Sequence, residues 1–261
     1  MTGRVDHERE GGIGRLIFAN PDRRNAVSLE MWQAAEAVLD DFAADPEVRV
    51  VVLAGAGDRA FVSGADVSKF ESERATPEAV THYGEATARV FAKLEQHPKP
   101  TIAEITGSCV GGGVAVALCC DLRFCGQGSR FGIPAARLGL GYGFEGLKRL
   151  VDLVGPACAK EILFTARLFT AAEAHQMGLV NRVLPDAEVA AFVAETARTI
   201  GENAPLTIAA AKTIVGQILK DPEKRDLARC ETLVAGCFAS QDYIEGRRAF
   251  VEKRRPRFVG A

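Results

Sequence analysis

Residues 107–121 read GSCVGGGVAVALCCD, and three consecutive glycines, Gly111 to Gly113, stand directly before the unbroken apolar run Val114 to Cys120. Glycine weakens helix and strand alike, so three in a row need a cause. Two causes stand open. The backbone makes a tight turn or a close approach inside the core, or bare N–H groups face a ligand where a helix begins. The stretch before the glycines, PTIAEITGSCVGG, reads as a buried strand; the run after them reads as an apolar helix, and DLRFCG (Asp121–Gly126) as a further short strand.

The same alternation extends towards the N-terminus. GRLIFA (Gly14–Ala19) reads as a strand closed by the turn chemistry of NPDRRN. Ser28 to Pro46 reads as a helix that Ser28 caps and Pro46 ends. VRVVVLAG (Val48–Gly55) is a β-branched run suited to a strand buried on both faces, and a long helix follows with Thr76 as cap and Pro77 at its first position. After about Pro185 the strands cease and helical periodicity takes over, in AEVAAFVAETARTIGENAP, LTIAAAKTIVGQILK and a long stretch from Asp226. The expectation is an α/β core of mostly parallel strands over residues 1–195 and a C-terminal helical region over 196–261.

Composition narrows the function. The chain has 261 residues, 48% of them hydrophobic, enough for one substantial core with an appendage. Its 32 basic and 34 acidic residues nearly cancel, which argues against nucleic-acid binding. Seven cysteines are an odd number without disulfide spacing, and no pair has zinc-site spacing with histidine nearby. The first residues, MTGRVDHEREGG, are polar, and the apolar run of 110–120 is too short to span a bilayer. A soluble, cytoplasmic, reduced protein without metal is expected.

Two loops share one character: SGAD (Ser63–Asp66) and GGG (Gly111–Gly113). Each follows a buried strand and is built from residues with little or no side chain. Two such loops, if they converge, offer two backbone N–H groups to one oxygen, and such an oxyanion hole stabilises charge developing on a carbonyl. The helix after Gly113 adds its dipole there. A serine hydrolase using Ser63 or Ser108 finds no support, because neither a partner histidine nor a nucleophile elbow is present.

Taken together, FVSGADVSKF, GSCVGGGVAVALCCDLRF, FGIPAARLGLGYG and LFTAAEAHQMGLVNRVLP resemble the enoyl-CoA hydratase/isomerase (crotonase) superfamily, and NPDRRNAVSLEMW and EGRRAFVEKRRPRF fit it too. The resemblance covers nearly the whole chain. It implies an α/β spiral of ββα units, a C-terminal helical region used in trimerisation, an acyl-CoA thioester as substrate, and assembly as a homotrimer or hexamer. Coenzyme A would enter as part of the substrate, with no separate cofactor. The oxyanion-hole donors would be the N–H groups of Ala65 and Gly112. Arg24 and Ala26 match the segment along the pantetheine and phosphates. Ala65, Asp66 and Val67 match the segment near the adenine. Phe250 and Lys253 match C-terminal residues that reach CoA, often across a subunit boundary.

The chain departs from the resemblance at the acids. Hydratases of the superfamily use two glutamates to activate and deliver water. The matching positions here are Ala115 and Ala135, and alanine moves no proton. The position where isomerases often place an acid holds Gly143. Tyr142 occupies the slot of a tyrosine found in methylmalonyl-CoA decarboxylases, whereas the histidine those enzymes carry would fall at Ala65. Nearby candidates are Glu145, which would act as acid/base if buried against an acyl group, and Tyr142 as proton donor. Helical spacing leaves open whether His82 or Tyr83 faces the site; His7, His97 and His175 receive no role, and Asp66 is expected to fix its own loop. Isomerase, decarboxylase or other lyase chemistry is therefore expected over hydration, with an acyl-CoA-binding protein that has lost catalysis as the alternative.

Overall fold

The computed structural model describes residues 3–69, 73 and 75–261; Phe70, which closes the FVSGADVSKF stretch, lies outside them. Among the described residues the strands form two sheets. The larger contains, in spatial order, β1 (Arg4–Glu10), β2 (Ile13–Ala19), β3 (Val50–Gly55), β5 (Thr101–Ile105), β7 (Leu122–Gly126) and β10 (Arg182–Leu184). All neighbours run parallel except the β1–β2 hairpin. The smaller contains β4 (Ala60–Val62), β6 (Ser108–Val110), β8 (Arg130–Gly132) and β9 (Phe169–Thr170), parallel up to the antiparallel β8–β9 pair.

The chain winds between the sheets in repeating turns. β3 feeds β4 and then helix α2 (Pro77–Glu95); β5 feeds β6 and then α3 (Gly112–Cys119); β7 feeds β8 and then α4 (Phe144–Thr165), and β9 leads into the short α5 (Ala171–Gln176). An earlier turn starts with β2 and ends with α1 (Leu29–Ala44), its second strand reduced to one parallel bridge between Val27 and Ala65. This is the expected spiral of ββα units. The stretch expected as one strand before the glycines is in fact β5 and β6 in different sheets, divided at Thr106–Gly107.

Burial explains the winding. Val51 and Leu53 of β3 bury in the main core with Leu16, Phe18, Trp32 and Ile105. Val50 and Val52 of the same strand bury on the opposite face with Ile102, Phe124 and helix α6 (Val189–Gly201). A strand covered on both faces needs a continuous β-branched run, which β3 has. β1 is the reverse: RVDHERE is polar and mostly exposed, an edge strand whose sequence carries no apolar alternation to reveal it. The capping serine and threonine behave as read. Ser28 Oγ accepts from Met31 N–H at 3.3 Å, and Thr76 Oγ1 from Ala79 N–H at 3.2 Å.

The expected division at 195/196 falls inside α6, whose Val193 and Ala197 pack on the sheet. Beyond it come α7 (Pro205–Ile218), α8 (Leu227–Ala239) and α9 (Gln241–Glu252). The single stretch expected from Asp226 is broken at Ser240, whose Oγ accepts from Tyr243 N–H at 3.1 Å and starts a new helix. Among the described residues no helix is long and apolar enough to cross a membrane.

One asparagine ties the first turn to the second. Asn25, in the left-handed conformation at φ 55°, accepts from Asn20 N–H at 3.0 Å and donates to Ala56 and Ala60 carbonyls at 3.0 and 2.7 Å. Asn25→Ala leaves these buried groups without partners and adds strain at positive φ, so we expect a loss of about 3 kcal/mol in chemical denaturation. A loss below about 1 kcal/mol would mean that water replaces the side chain there.

Candidate functional site

The two loops singled out in the sequence leave adjacent parallel strands. β4 pairs with β6 through Ala60 with Ser108 and Val62 with Cys109, and SGAD and GGG follow at their C-terminal ends. The loops touch. Gly112 N lies 3.7 Å from where a Cβ on Gly64 would stand, and Gly64 Cα lies 3.6 Å from where one on Gly112 would stand. Gly111 holds φ 55° with ψ −113°, a conformation that side-chain-bearing residues avoid. A Cβ on Gly113 would come within 2.0 Å of the Val62 carbonyl oxygen, so only glycine lets α3 pack onto β4. The close-approach reading of the glycine run therefore holds at Gly113, and the conformation of Gly111 requires glycine as well.

Backbone hydrogen bonding singles out two donors. Val27 bridges Ala65 from one side: its N–H donates to Gly64 C=O at 2.9 Å, and its C=O accepts from Asp66 N–H at 3.0 Å. In a parallel pairing the straddled residue turns its own N–H to the opposite side. For Ala65 that is the side where β6 runs into Gly111 and Gly112. Gly111 N–H is taken by Gly132 C=O at 2.8 Å. Gly112 N–H, at the first position of α3, has no acceptor, and neither has Ala65 N–H among the described residues. At the other end of α3 the buried Arg123 donates to Ala117 and Cys120 carbonyls, and its Nε–H to Leu179 C=O at 3.0 Å. A cation there complements the negative end of the helix.

Arg24 is exposed at φ 53° beside Ala26, which is buried and whose carbonyl accepts from Asn20 Nδ2 at 2.9 Å. Ser63 Oγ–H donates to Arg23 C=O at 3.2 Å and binds this turn to SGAD. Asp66 is buried and accepts from the backbone N–H and hydroxyl of Ser68 at 3.1 and 2.6 Å, so it does fix its own loop. Val67 is exposed beside it. The structure thus gathers Arg24, Ala26, Ala65, Asp66, Val67 and Gly112. Phe250 and Lys253 are exposed at the end of α9, and no hydrogen bond or ion pair joins them to either loop among the described residues.

Ala115 is half-buried on α3 and Ala135 is buried in the 3-10 turn Pro134–Arg137. Glu145 is exposed in the first turn of α4, the setting of a carboxylate held by the helix dipole and not of one buried against an acyl group. Gly143 precedes that helix as its cap. Tyr142 is half-buried against the main core, its hydroxyl has no partner among the described residues, and burial pushes its phenol above the ordinary value. His82 is exposed and Tyr83 is buried, because Tyr83 shares the inward face of α2 with Ala86 and Val90. The buried thiols of Cys120 and Cys125 are pushed up to about 12 by desolvation, so they pack as apolar groups. Among the described residues no group of three or more His, Cys, Asp or Glu could hold a metal ion.

An α/β spiral with two converging loops at the ends of its inner strands defines a class, and comparison with known proteins gives it a family. Residues 8–261 match the model of the family described as enoyl-CoA hydratase/isomerase. Crotonyl-CoA hydratase of Syntrophomonas wolfei is 35% identical over 256 residues, covering 97% of this chain and 96% of that protein. Short-chain-enoyl-CoA hydratase of Clostridium acetobutylicum is 35% identical over 248 residues, covering 95% and 94%. The crystal structure of an enoyl-CoA hydratase from Bacillus anthracis matches with a TM-score of 0.93 at 30% identity, covering 99% of this chain and 100% of that one. The chain belongs to the enoyl-CoA hydratase/isomerase family and has its crotonase fold.

The Tyr142 phenol is expected to ionise above the ordinary value of about 10. Burial favours its neutral form, so it stays a proton donor at neutral pH, and its ionisation weakens the fold only as the pH rises past that value. The phenolate absorbance of wild type minus Tyr142→Phe should appear on the alkaline side of about pH 10; a difference titrating at about pH 10 would show a solvated hydroxyl.

Proposed function

We propose that this protein binds an acyl-CoA and stabilises the enolate of its thioester between the N–H groups of Ala65 and Gly112. The carrying observation is that these two donors, on loops in contact, have no acceptor of their own among the described residues. A thioester oxygen that gains negative charge would supply one, and loss of one such donor typically costs roughly 10²–10³ in rate. Arg24, Ala26, Asp66 and Val67 would lie along the CoA, with Phe250 and Lys253 reaching it from a neighbouring subunit.

Hydration is the reaction in the names of the relatives, but Ala115 and Ala135 stand where the resemblance puts the water-activating glutamates. Isomerisation needs a base to take a proton, and Gly143 and the exposed Glu145 offer none within the fold. Loss of carbon dioxide from a 2-carboxyacyl thioester needs no base. The bond between the α-carbon and the carboxylate breaks, its electron pair passes into the thioester as enolate, and carbon dioxide leaves. The α-carbon then takes a proton from the neutral Tyr142 hydroxyl or from water, and the tyrosine is reprotonated by solvent. We assign enolate-forming lyase chemistry of this kind. The missing acids also favour a second reading, an acyl-CoA-binding protein without turnover.

Incubation in D₂O with crotonyl-, 3-enoyl-, acetoacetyl- and methylmalonyl-CoA, followed by mass spectrometry, tests the assignment. Loss of carbon dioxide with deuterium at the α-carbon is expected from methylmalonyl-CoA, reduced roughly 10²–10³-fold in a folded Gly112→Pro. Binding of every thioester without turnover would establish the second reading, and an unaffected Gly112→Pro would remove the oxyanion assignment.

Assembly is part of the proposal. No residue of α8 is buried in the single chain, and Ile218, Leu227, Phe238, Ile244 and Phe250 stand exposed along the C-terminal helices. Apolar surface on that scale marks an interface, and a homotrimer or a hexamer of two trimers would cover it. Sedimentation analysis should give a mass of three or six chains; a stable monomer would leave Phe250 and Lys253 without a neighbour to serve.

A further inference from the structure

Trp32 and Tyr83 take no part in the chemistry above, yet they connect both halves of the candidate hole. The Trp32 Nε1–H donates to Tyr83 Oη at 2.8 Å, and the Tyr83 hydroxyl donates to Val27 C=O at 3.1 Å. That carbonyl also accepts from Asp66 N–H, and Val27 N–H holds Gly64 C=O. Val27 therefore sets the peptide planes on both sides of Ala65, and Tyr83 sets Val27. The same indole reaches the other loop, with Cζ2 3.9 Å from where a Cβ on Gly112 would stand. Its ring is fixed edge-on between Phe18 and Phe91, with centroids 5.9 and 5.7 Å away, and is 1% exposed.

We propose that Trp32 and Tyr83 are positioning residues that hold the Ala65 and Gly112 N–H groups at the spacing one thioester oxygen requires. The inference rests on the oxyanion reading above. A hydroxyl buried in an apolar core is costly unless bonded, and here it accepts from Trp32 and donates to the Val27 carbonyl beside the loop. A core serving packing alone would be met by phenylalanine at position 83. The tyrosine adds a hydrogen bond to the one residue that straddles Ala65, and rigid support of this kind separates a present site from a working one.

Isotope-edited infrared spectroscopy of bound crotonyl-CoA, labelled with ¹³C at the thioester carbonyl, tests this in the whole protein. In wild type the carbonyl band should lie below its position in water, because two N–H groups polarise it. In Tyr83→Phe the shift should shrink, with turnover on the best thioester falling about tenfold in kcat while KM moves less than about twofold. Trp32→Phe tests the same link from its other end if Tyr83→Phe does not fold. Leu94→Ala, a buried cavity on the same helix α2, is the control and should leave the band in place. An unshifted wild-type band overturns the oxyanion reading and this inference together. A shifted wild-type band that Tyr83→Phe and Trp32→Phe leave unchanged, or that Leu94→Ala disturbs equally, overturns the positioning role alone.

Discussion

The candidate site depends on one parallel ladder, Val27 beside Ala65 and β4 beside β6, at the inner end of the spiral. Parallel neighbours deliver their C-terminal ends to the same edge, so two loops far apart in sequence leave the sheet side by side. The ladder also decides hydrogen-bond direction. Because Val27 occupies the outer side of the Ala65 segment, the Ala65 N–H must turn inward, and because Gly132 takes Gly111, the next free donor is Gly112. Removing the bridge would leave the residues in place and lose the direction.

A site made of backbone donors has a chemical consequence. Amide N–H groups have fixed partial charge and no titration, so they can hold a developing oxyanion while the side chains around them change. At the positions that the resemblance assigns to acids, the chain carries Ala115, Ala135 and Gly143. Under the function proposed above, what remains is a pair of backbone donors, a helix whose far end Arg123 caps, and one neutral phenol. That combination suits a substrate that forms its enolate by bond loss without an external base.

Much of this was legible in the sequence, for definite reasons. The strands buried on both faces announced themselves as β-branched runs, and glycines at Gly111 and Gly113 were readable because no other residue fits their φ or their clearance. β1 was not legible, since a polar edge strand has no alternation to betray it. The break at Ser240 was hidden in continuous helical periodicity, because a capping serine inside a helix-forming stretch gives only a local signal. Trp32 drew no reading from the sequence, and helical spacing left the direction of Tyr83 open. Their shared hydrogen bond joins residues 51 positions apart, and no local pattern encodes that.

The sequence alone determined the α/β class, the two small-residue loops and the identity of every residue that can or cannot move a proton, because these are properties of residue types and short-range periods. Tertiary structure decided which way those residues point. It turned Tyr83 inward and His82 outward, left Glu145 in water while half-burying Tyr142, and left Phe250 and Lys253 exposed at the end of α9. The reason is that direction is fixed by long-range pairing. A peptide N–H acquires its orientation from the strand opposite it, and here that strand is a single residue, Val27, held from across the core.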